Sequence, residues 1–354
     1  MMKKNQHASL LSPLAVIFAL TLLPGVTGIA VAQDPPPNTT APPNTTTPQN
    51  TTTPPNNTAT PPKAPPKPAL LPALPFVSNF HFWKGLMMVD TISTGNTPAQ
   101  FILATGLNVN AVMPEDVPRL QIEVKDTKVH VTALDNTADA KQGQIKTITF
   151  GLHKEENIPA AVVDMMSLLS NTTPIDPPTG WLGAPFLSSF MLTLDFRNHQ
   201  VIFDKPEAPF PKEVGVAVPI KVKEGRIYVK VTIPGAKSFD ALVDTGAVGT
   251  FIPTEAATKL KLKATDFIPI VRHDGKPSKI GRALVAKFAL GKLEMRGVQV
   301  AYYTKDATSV PNPDFAVIGM DLLRRYRVMI SYKKQMMFFA PLNPMTPDQN
   351  SLNP

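Results

Sequence analysis

An Asp-Thr-Gly turn between two apolar runs lies at residues 241–253, which read ALVDTGAVGTFIP. The apolar residues before Asp244 predict a buried strand, and a second apolar run follows the turn. A carboxylate at the end of a buried strand is costly unless it has partners or a chemical task. This stretch therefore predicts a buried strand that ends in a turn, with a carboxylate there that has partners or a function.

A copy of this turn without the carboxylate lies 140 positions earlier, at residues 101–106, which read FILATG. Three further blocks repeat in the same order at spacings of 140, 138 and 136 positions: 84–89 with 224–229, 150–152 with 288–290, and 182–187 with 318–323. Self-similarity in a fixed order indicates an internal repeat. The repeat predicts two homologous lobes, residues 71–206 and 207–341.

Short β-strands dominate the predicted secondary structure of both lobes. Runs rich in Val, Ile, Phe and Tyr are separated by Gly, Pro and Asp-Gly, as at 226–233, 283–290 and 298–303. Each lobe closes with a predicted strand pair: 191–196 with 200–203, and 328–332 with 335–340. The predicted fold class is all-β, mainly antiparallel, with short helices, and each lobe is expected to form a small closed or nearly closed barrel.

Two short helices are expected in the second lobe. The first spans Pro253–Leu260, with Thr254 as its N-cap and Glu255 in its first turn. The second spans Asp321–Arg325, and Asp321 is expected to cap it rather than to carry chemistry.

The Asp-Thr-Gly-Ala sequence at 244–247, together with the Gly-Met-Asp-Leu-Leu sequence at 319–323, resembles the two signatures of retropepsin-like aspartic peptidases. The resemblance covers most of both lobes and implies the acid-protease fold, in which two Asp-Thr-Gly turns face each other. It implies that two carboxylates share a proton and activate a water on the scissile carbonyl of a peptide or protein substrate. It makes Asp244 the catalytic carboxylate, with Thr245 bracing the turn and Gly246 and Ala247 completing it.

The resemblance also implies a flap, a hairpin that folds over the bound peptide. The segment between the second-lobe strands near residues 270 and 282 contains the turn residues His273, Asp274 and Gly275. These three residues are the flap candidates. For His273 itself, a solvated loop position is the preferred interpretation, and Asp274 is interpreted as a turn former.

The first lobe departs from the family pattern, because Ala104-Thr105-Gly106 stands where the second lobe has Asp-Thr-Gly. A methyl group can neither accept nor donate a proton. One hypothesis is an exported aspartic endopeptidase in which Asp244 pairs with an aspartate from another chain, for example in a homodimer formed through the second lobe. The other is a weak or inactive peptide-binding or scaffold protein, whose pepsin-like cleft holds a single carboxylate.

The N-terminal residues predict export. Residues 1–32 have a positive start, an apolar middle and small residues before Gln33, as in a cleaved signal peptide. Residues 33–70 form a Pro-, Thr- and Asn-rich disordered linker, and residues 342–354 a flexible tail. We expect a periplasmic or extracellular protein with no stable membrane span after cleavage; the alternative is an uncleaved anchor.

The composition argues against several other classes of protein. The 354 residues include no Cys, which excludes disulfides and thiolate sites, and six His without metal-ligand spacing. The net charge of +8 is scattered, without a basic run that would bind nucleic acid. There is no Gly-x-Ser-x-Gly, His-Glu-x-x-His or phosphate-binding glycine motif. We therefore expect no cofactor and no metal.

Overall fold

The structure is a computed structural model and describes residues 74–133, 136–165, 176–210, 214–271, 277–304 and 315–342. The predicted signal segment, the predicted linker and residues 343–354 of the predicted tail lie outside these ranges. The described residues all belong to one compact unit.

The first lobe is built from short and long strands with one turn of α-helix. Its strands are β1 (Phe76–Trp83), β2 (Leu86–Ser93), β3 (Thr97–Leu103), β4 (Ala111–Val112), β5 (Glu123–Ala133), β6 (Asn136–Phe150), β7 (His153–Val162), β8 (Gly180–Leu182), β9 (Met191–Asp195) and β10 (Gln200–Asp204). Its helical segments are the 3-10 turns Thr94–Asn96 and Pro114–Asp116 and the helix α1 (Ala184–Leu187).

The second lobe repeats this order of elements. Its strands are β11 (Val216–Lys223), β12 (Arg226–Thr232), β13 (Phe239–Val243), β14 (Asp266–Val271), β15 (Pro277–Leu290), β16 (Leu293–Tyr303), β17 (Val317–Ile318), β18 (Tyr326–Ser331) and β19 (Met336–Pro341). Its helices are α2 (Thr254–Lys259) and α3 (Met320–Leu323). The bridge made by Phe251 with Ala301 and Val317 takes the place of β4.

Each lobe opens with a hairpin that has the same tight turn. Lys84 and Gly85 have φ values of 47° and 85°, and Glu224 and Gly225 have φ values of 50° and 75°. Two successive positive φ values are typical of two-residue turns whose twist matches that of the flanking strands. The hairpins therefore place β2 and β12 in equivalent positions, and each of these strands pairs next with the strand that leads into a turn, β3 or β13.

A sheet of six strands joins the two lobes. Its order is β1, β10, β9, β18, β19, β11, and every neighbouring pair is antiparallel. The central pair, β9 and β18, comes from different lobes, with Thr193 opposite Met329. These two residues occupy equivalent positions of the repeat. A residue that faces its own equivalent lies on a twofold axis, so a pseudo-twofold axis passes through the centre of this sheet.

The two predicted helix caps are wrong. The helix α2 begins at Thr254, and Pro253 occupies the N-cap position without a side-chain cap; the Thr254 hydroxyl instead donates to the carbonyl of Tyr303 at 3.3 Å. The N-cap of α3 is Gly319, and Asp321 lies inside the first turn. Its carboxylate is engaged by another part of the chain, as described below.

Within the described ranges, no helix is both long and apolar enough to cross a membrane.

Candidate active site

Two equivalent turns meet on the pseudo-twofold axis, one from each lobe. After β13, the backbone N–H of Asp244 donates to the carbonyl of Ile318 at 3.1 Å, and after β3 the N–H of Ala104 donates to the carbonyl of Leu182 at 3.0 Å. Each turn is therefore fixed by the parallel pairing of its strand, β3 with β8 or β13 with β17. This pairing ends the strand where the Asp-Thr-Gly or Ala-Thr-Gly turn begins.

The two threonines of the turns exchange hydrogen bonds across the axis. The N–H of Thr105 donates to Oγ1 of Thr245, and the N–H of Thr245 donates to Oγ1 of Thr105, both at 3.1 Å. The Thr105 hydroxyl donates to the carbonyl of Val243 at 2.8 Å, and the Thr245 hydroxyl donates to that of Leu103 at 2.6 Å. Both side chains are 1 % exposed. The lobes of a single chain are thus locked together at the turns.

Asp244 lies at the centre of this arrangement and is 4 % exposed. Its Oδ1 accepts two backbone hydrogen bonds, from Gly246 of its own turn at 2.7 Å and from Gly106 of the other turn at 3.0 Å. The fit is close: a Cβ on Gly106 would lie 2.3 Å from Cγ of Asp244. Both glycines therefore serve the close approach of backbone to carboxylate.

Burial raises the pKa of Asp244 to about 6, because desolvation disfavours the charged form. The two glycine N–H groups and the positive charge of Arg226 oppose this by stabilising the carboxylate. Burial also raises the pKa of the Tyr332 hydroxyl, and the Asp244 charge adds to that effect. The carboxyl of Asp244 is thus poised between its acid and base forms at mildly acidic pH.

We expect the contribution of Asp244 to stability to increase as the pH falls. The carboxyl has an ordinary pKa of 3.8 and a folded-state pKa of about 6, so the folded state binds the proton more tightly than the unfolded state. The stabilisation is complete below 3.8 and is lost as the pH rises through 6; it amounts to about 3 kcal/mol. Urea unfolding of the wild type and of Asp244→Asn from pH 3 to 8 measures it. A difference between the two variants that does not change with pH would contradict the expectation.

Ala104 occupies the position opposite Asp244, with its Cβ 3.0 Å from the place of a Cβ on Gly246. In this chain the first lobe's turn, with Ala104, lies where the sequence analysis expected an aspartate from another chain, in a homodimer formed through the second lobe. The turn of the first lobe already fills that position through the Thr105–Thr245 bonds, and the edge of β18 is paired with β9. Another chain could reach Asp244 only if the two lobes separated.

Beside each turn, a buried polar side chain accepts a hydrogen bond from the glycine that follows the strand paired with the turn's own strand. Neither side chain was predicted from the sequence. Thr250 is 1 % exposed and accepts the Gly319 N–H at 3.2 Å through Oγ1. Its own N–H and hydroxyl donate to Asp321 at 3.0 and 2.7 Å. In the first lobe Asn110 accepts the Gly183 N–H at 2.9 Å. Asn110 and Thr250 are 140 positions apart, so the repeat spacing was the signal that could have revealed them.

Asp321 has a structural role in this network. Burial raises its pKa, and the hydrogen bonds from Thr250 oppose the shift. Ala247 is also structural: it is buried, and its carbonyl accepts the Met320 N–H at 2.8 Å. These contacts hold the turn of the second lobe against α3.

The predicted flap residues His273, Asp274 and Gly275 lie outside the described residues. The strands on either side, β14 and β15, pair as an antiparallel hairpin up to Val271 and Pro277. The first lobe has an equivalent hairpin, β5 with β6, which the sequence did not bring to attention. The side chain of Asn108, just beyond the Ala-Thr-Gly turn, donates to the carbonyl of His130 in this hairpin at 3.2 Å.

Among the described residues, no group of three or more His, Asp or Glu side chains is placed to hold a metal ion.

The family model described as "Aspartyl protease" matches residues 89–186 and 229–322, which together make up more than half of the chain. Each matched segment contains one of the two turns. Similar solved structures include the aspartic proteinase from Irpex lacteus, with 13 % identity over 77 % of this chain and 99 % of that chain, at a TM-score of 0.49. Basic 7S globulin from soybean has 10 % identity over 77 % of this chain and 96 % of that chain, also at 0.49. Among curated proteins, no sequence gives a significant match.

Proposed function

Because this chain belongs to the aspartyl protease family, we propose that it binds extended peptides between its two lobes and hydrolyses them slowly at most. The observation that carries this proposal is Ala104, which stands opposite Asp244 in an otherwise complete pair of turns. Membership of the family implies a peptide or protein as the partner. With only one carboxylate between the turns, hydrolysis of that peptide is slow at most.

Peptide hydrolysis by water needs two proton transfers at the same centre. A base must take a proton from the attacking water, and an acid must protonate the carbonyl oxygen or the leaving amine. Two adjacent carboxyl groups that share one proton can do both, because their pKa values split. Asp244 alone can be the base or the acid in one step. Each missing general acid or base typically lowers the rate by about 100- to 10,000-fold.

A second candidate function, an exported aspartic endopeptidase in which Asp244 is the catalytic residue, is favoured by one observation. The carboxyl of Asp244 keeps a buried, preorganised position with two N–H donors and a pKa of about 6. A carboxyl that titrates near the working pH is suited to general acid or base catalysis.

Binding and hydrolysis of a fluorescently labelled, denatured protein separate these two functions. We expect wild type and Asp244→Asn to bind it with similar affinity, and both to cleave it slowly or not at all from pH 3 to 7. Glu294→Gln, at an exposed position on β16, is the matched control for loss of a carboxylate. Cleavage at about 1 s⁻¹ or faster that Asp244→Asn abolishes would establish the endopeptidase instead. Failure of all three proteins to bind would overturn both functions.

We also propose that the protein is exported, on the strength of the signal-like residues 1–32 and the Pro-, Thr- and Asn-rich residues 33–70. A linker of this composition would hold the two lobes away from a surface if the N-terminal segment stays anchored there. After cleavage of that segment, the lobes would be released into the surrounding medium. The N-terminal sequence of the protein recovered from its native host tests the proposal: a start at Gln33 supports it, and a start at Met1 in the cytoplasm contradicts it.

A further inference from the structure

The glycine N–H of each turn needs a hydrogen-bond acceptor, but only the turn of the second lobe supplies one from its own side chains. In the second lobe, the N–H of Gly246 is satisfied two residues back, by Oδ1 of Asp244. The repeat places the N–H of Gly106 in the same relation to residue 104. Ala104 has no side-chain acceptor. Gly106 is buried, so its N–H would be left without a partner, and an unpaired buried N–H is strongly destabilising.

Asp244 supplies the missing acceptor from the other lobe. The same oxygen, Oδ1, that accepts from Gly246 also accepts from Gly106 at 3.0 Å. The carboxyl lies so close to Gly106 that a Cβ there would be 2.4 Å from Oδ2. One side chain of the second lobe therefore satisfies the backbone of both turns.

We infer that Asp244 has a structural role in this chain, as the shared acceptor that satisfies the first lobe's turn and fastens the two lobes together in place of the carboxylate missing at position 104. This role needs only an oxygen acceptor and no proton transfer. It does not depend on peptide binding or hydrolysis, and it is tested without a ligand.

Four neutral variants test the inference by thermal unfolding at pH 7. Asp244→Asn keeps a side-chain oxygen, and Asp244→Ala removes it; each is made with Ala104 and with Ala104→Asn. In the Ala104 background, we expect Asp244→Ala to melt roughly 5 °C below Asp244→Asn. In the Ala104→Asn background, the introduced amide oxygen is two residues from Gly106, as Asp244 is from Gly246. We expect the gap to shrink there to less than half.

The background Ala104→Leu controls for filled volume, because leucine adds bulk without an acceptor, and the gap should persist in it. Equal melting temperatures of Asp244→Asn and Asp244→Ala would overturn the inference, as would a gap of the same size in the Ala104→Asn background. If Asp244→Ala alone does not fold, the double variant decides: recovery of folding with Ala104→Asn supports the shared acceptor, and no recovery overturns it.

Hydrogen exchange of the Gly106 amide gives a direct readout. We expect exchange to be at least roughly tenfold faster in Asp244→Ala than in Asp244→Asn, because the unpaired N–H opens more readily. Unchanged exchange of this amide would contradict the role even if the melting temperatures differed.

Discussion

Replacing Ala104 with aspartate is expected to raise the rate of peptide hydrolysis by at least about 100-fold. The new carboxylate would stand opposite Asp244 across the Thr105–Thr245 bonds, which already hold both turns in place. Two adjacent carboxyl groups cannot both be charged easily, so the pair would share one proton. It would then supply an acid and a base together. The gain should be greatest on the acid side of neutrality, where one carboxyl is protonated.

Initial rates of cleavage of a labelled, denatured protein from pH 3 to 7 measure this gain. Ala104→Asn is the matched control, because it has nearly the same size as aspartate and no acidic proton. Combining Ala104→Asp with Asp244→Asn should remove the gain. If Ala104→Asp folds and binds the substrate yet cleaves no faster than wild type, the missing carboxylate is not what limits hydrolysis.

Gly106→Ala is expected to destabilise the fold by about 3 kcal/mol. The added Cβ would lie 2.3 Å from Cγ of Asp244 and 2.7 Å from its Cβ. The carboxyl cannot move away without losing its bonds to both glycines, and the backbone cannot move without breaking the exchange between the threonines. Either response breaks hydrogen bonds that connect the two lobes. Urea unfolding at neutral pH measures the loss.

Gly151→Ala is the control for this effect. Gly151 has a positive φ of 58°, but nothing lies within 4 Å of a Cβ added there. Its substitution therefore reports backbone strain alone, typically about 1–2 kcal/mol. A Gly106→Ala protein no less stable than Gly151→Ala would show that the contact with Asp244 is easily relieved.

The class of fold was predictable from the sequence, because the strand patterns are local signals and the repeat is visible as self-similarity within the sequence. The predicted all-β acid-protease fold is confirmed, and the family model matches both halves of the repeat. The final strand pairs were placed within two residues of β9, β10, β18 and β19. The pairing of β9 with β18 was not predicted, since the two strands are more than 130 positions apart and nothing in either strand specifies its partner.

At the site, sequence reasoning identified the turn residues but not their partners. The spacing of 140 positions paired Ala104 with Asp244 and Thr105 with Thr245. It did not show that the Asp244 carboxylate accepts from Gly106, because that contact depends on how closely the lobes approach. For the same reason the sequence left open a pairing between chains, which the structure replaces by a pairing within one chain. The helix caps were misplaced because tertiary contacts from Thr254 and Asp321 outweighed local preference.

In a second lobe produced without the first, β18 would be an exposed edge strand that can pair with another strand. A second copy of β18 could dock where β9 now lies, since Met329 already faces its own equivalent, Thr193. Two copies of the second lobe would then assemble around a true twofold axis, with two copies of Asp244 at the centre. Because the first lobe is covalently connected, its strand β9 competes with a second copy of β18 for the edge of β18. Its effective concentration there is on the order of millimolar. The covalent connection of the two lobes and the alanine at position 104 therefore both leave a single carboxylate at the centre between the turns.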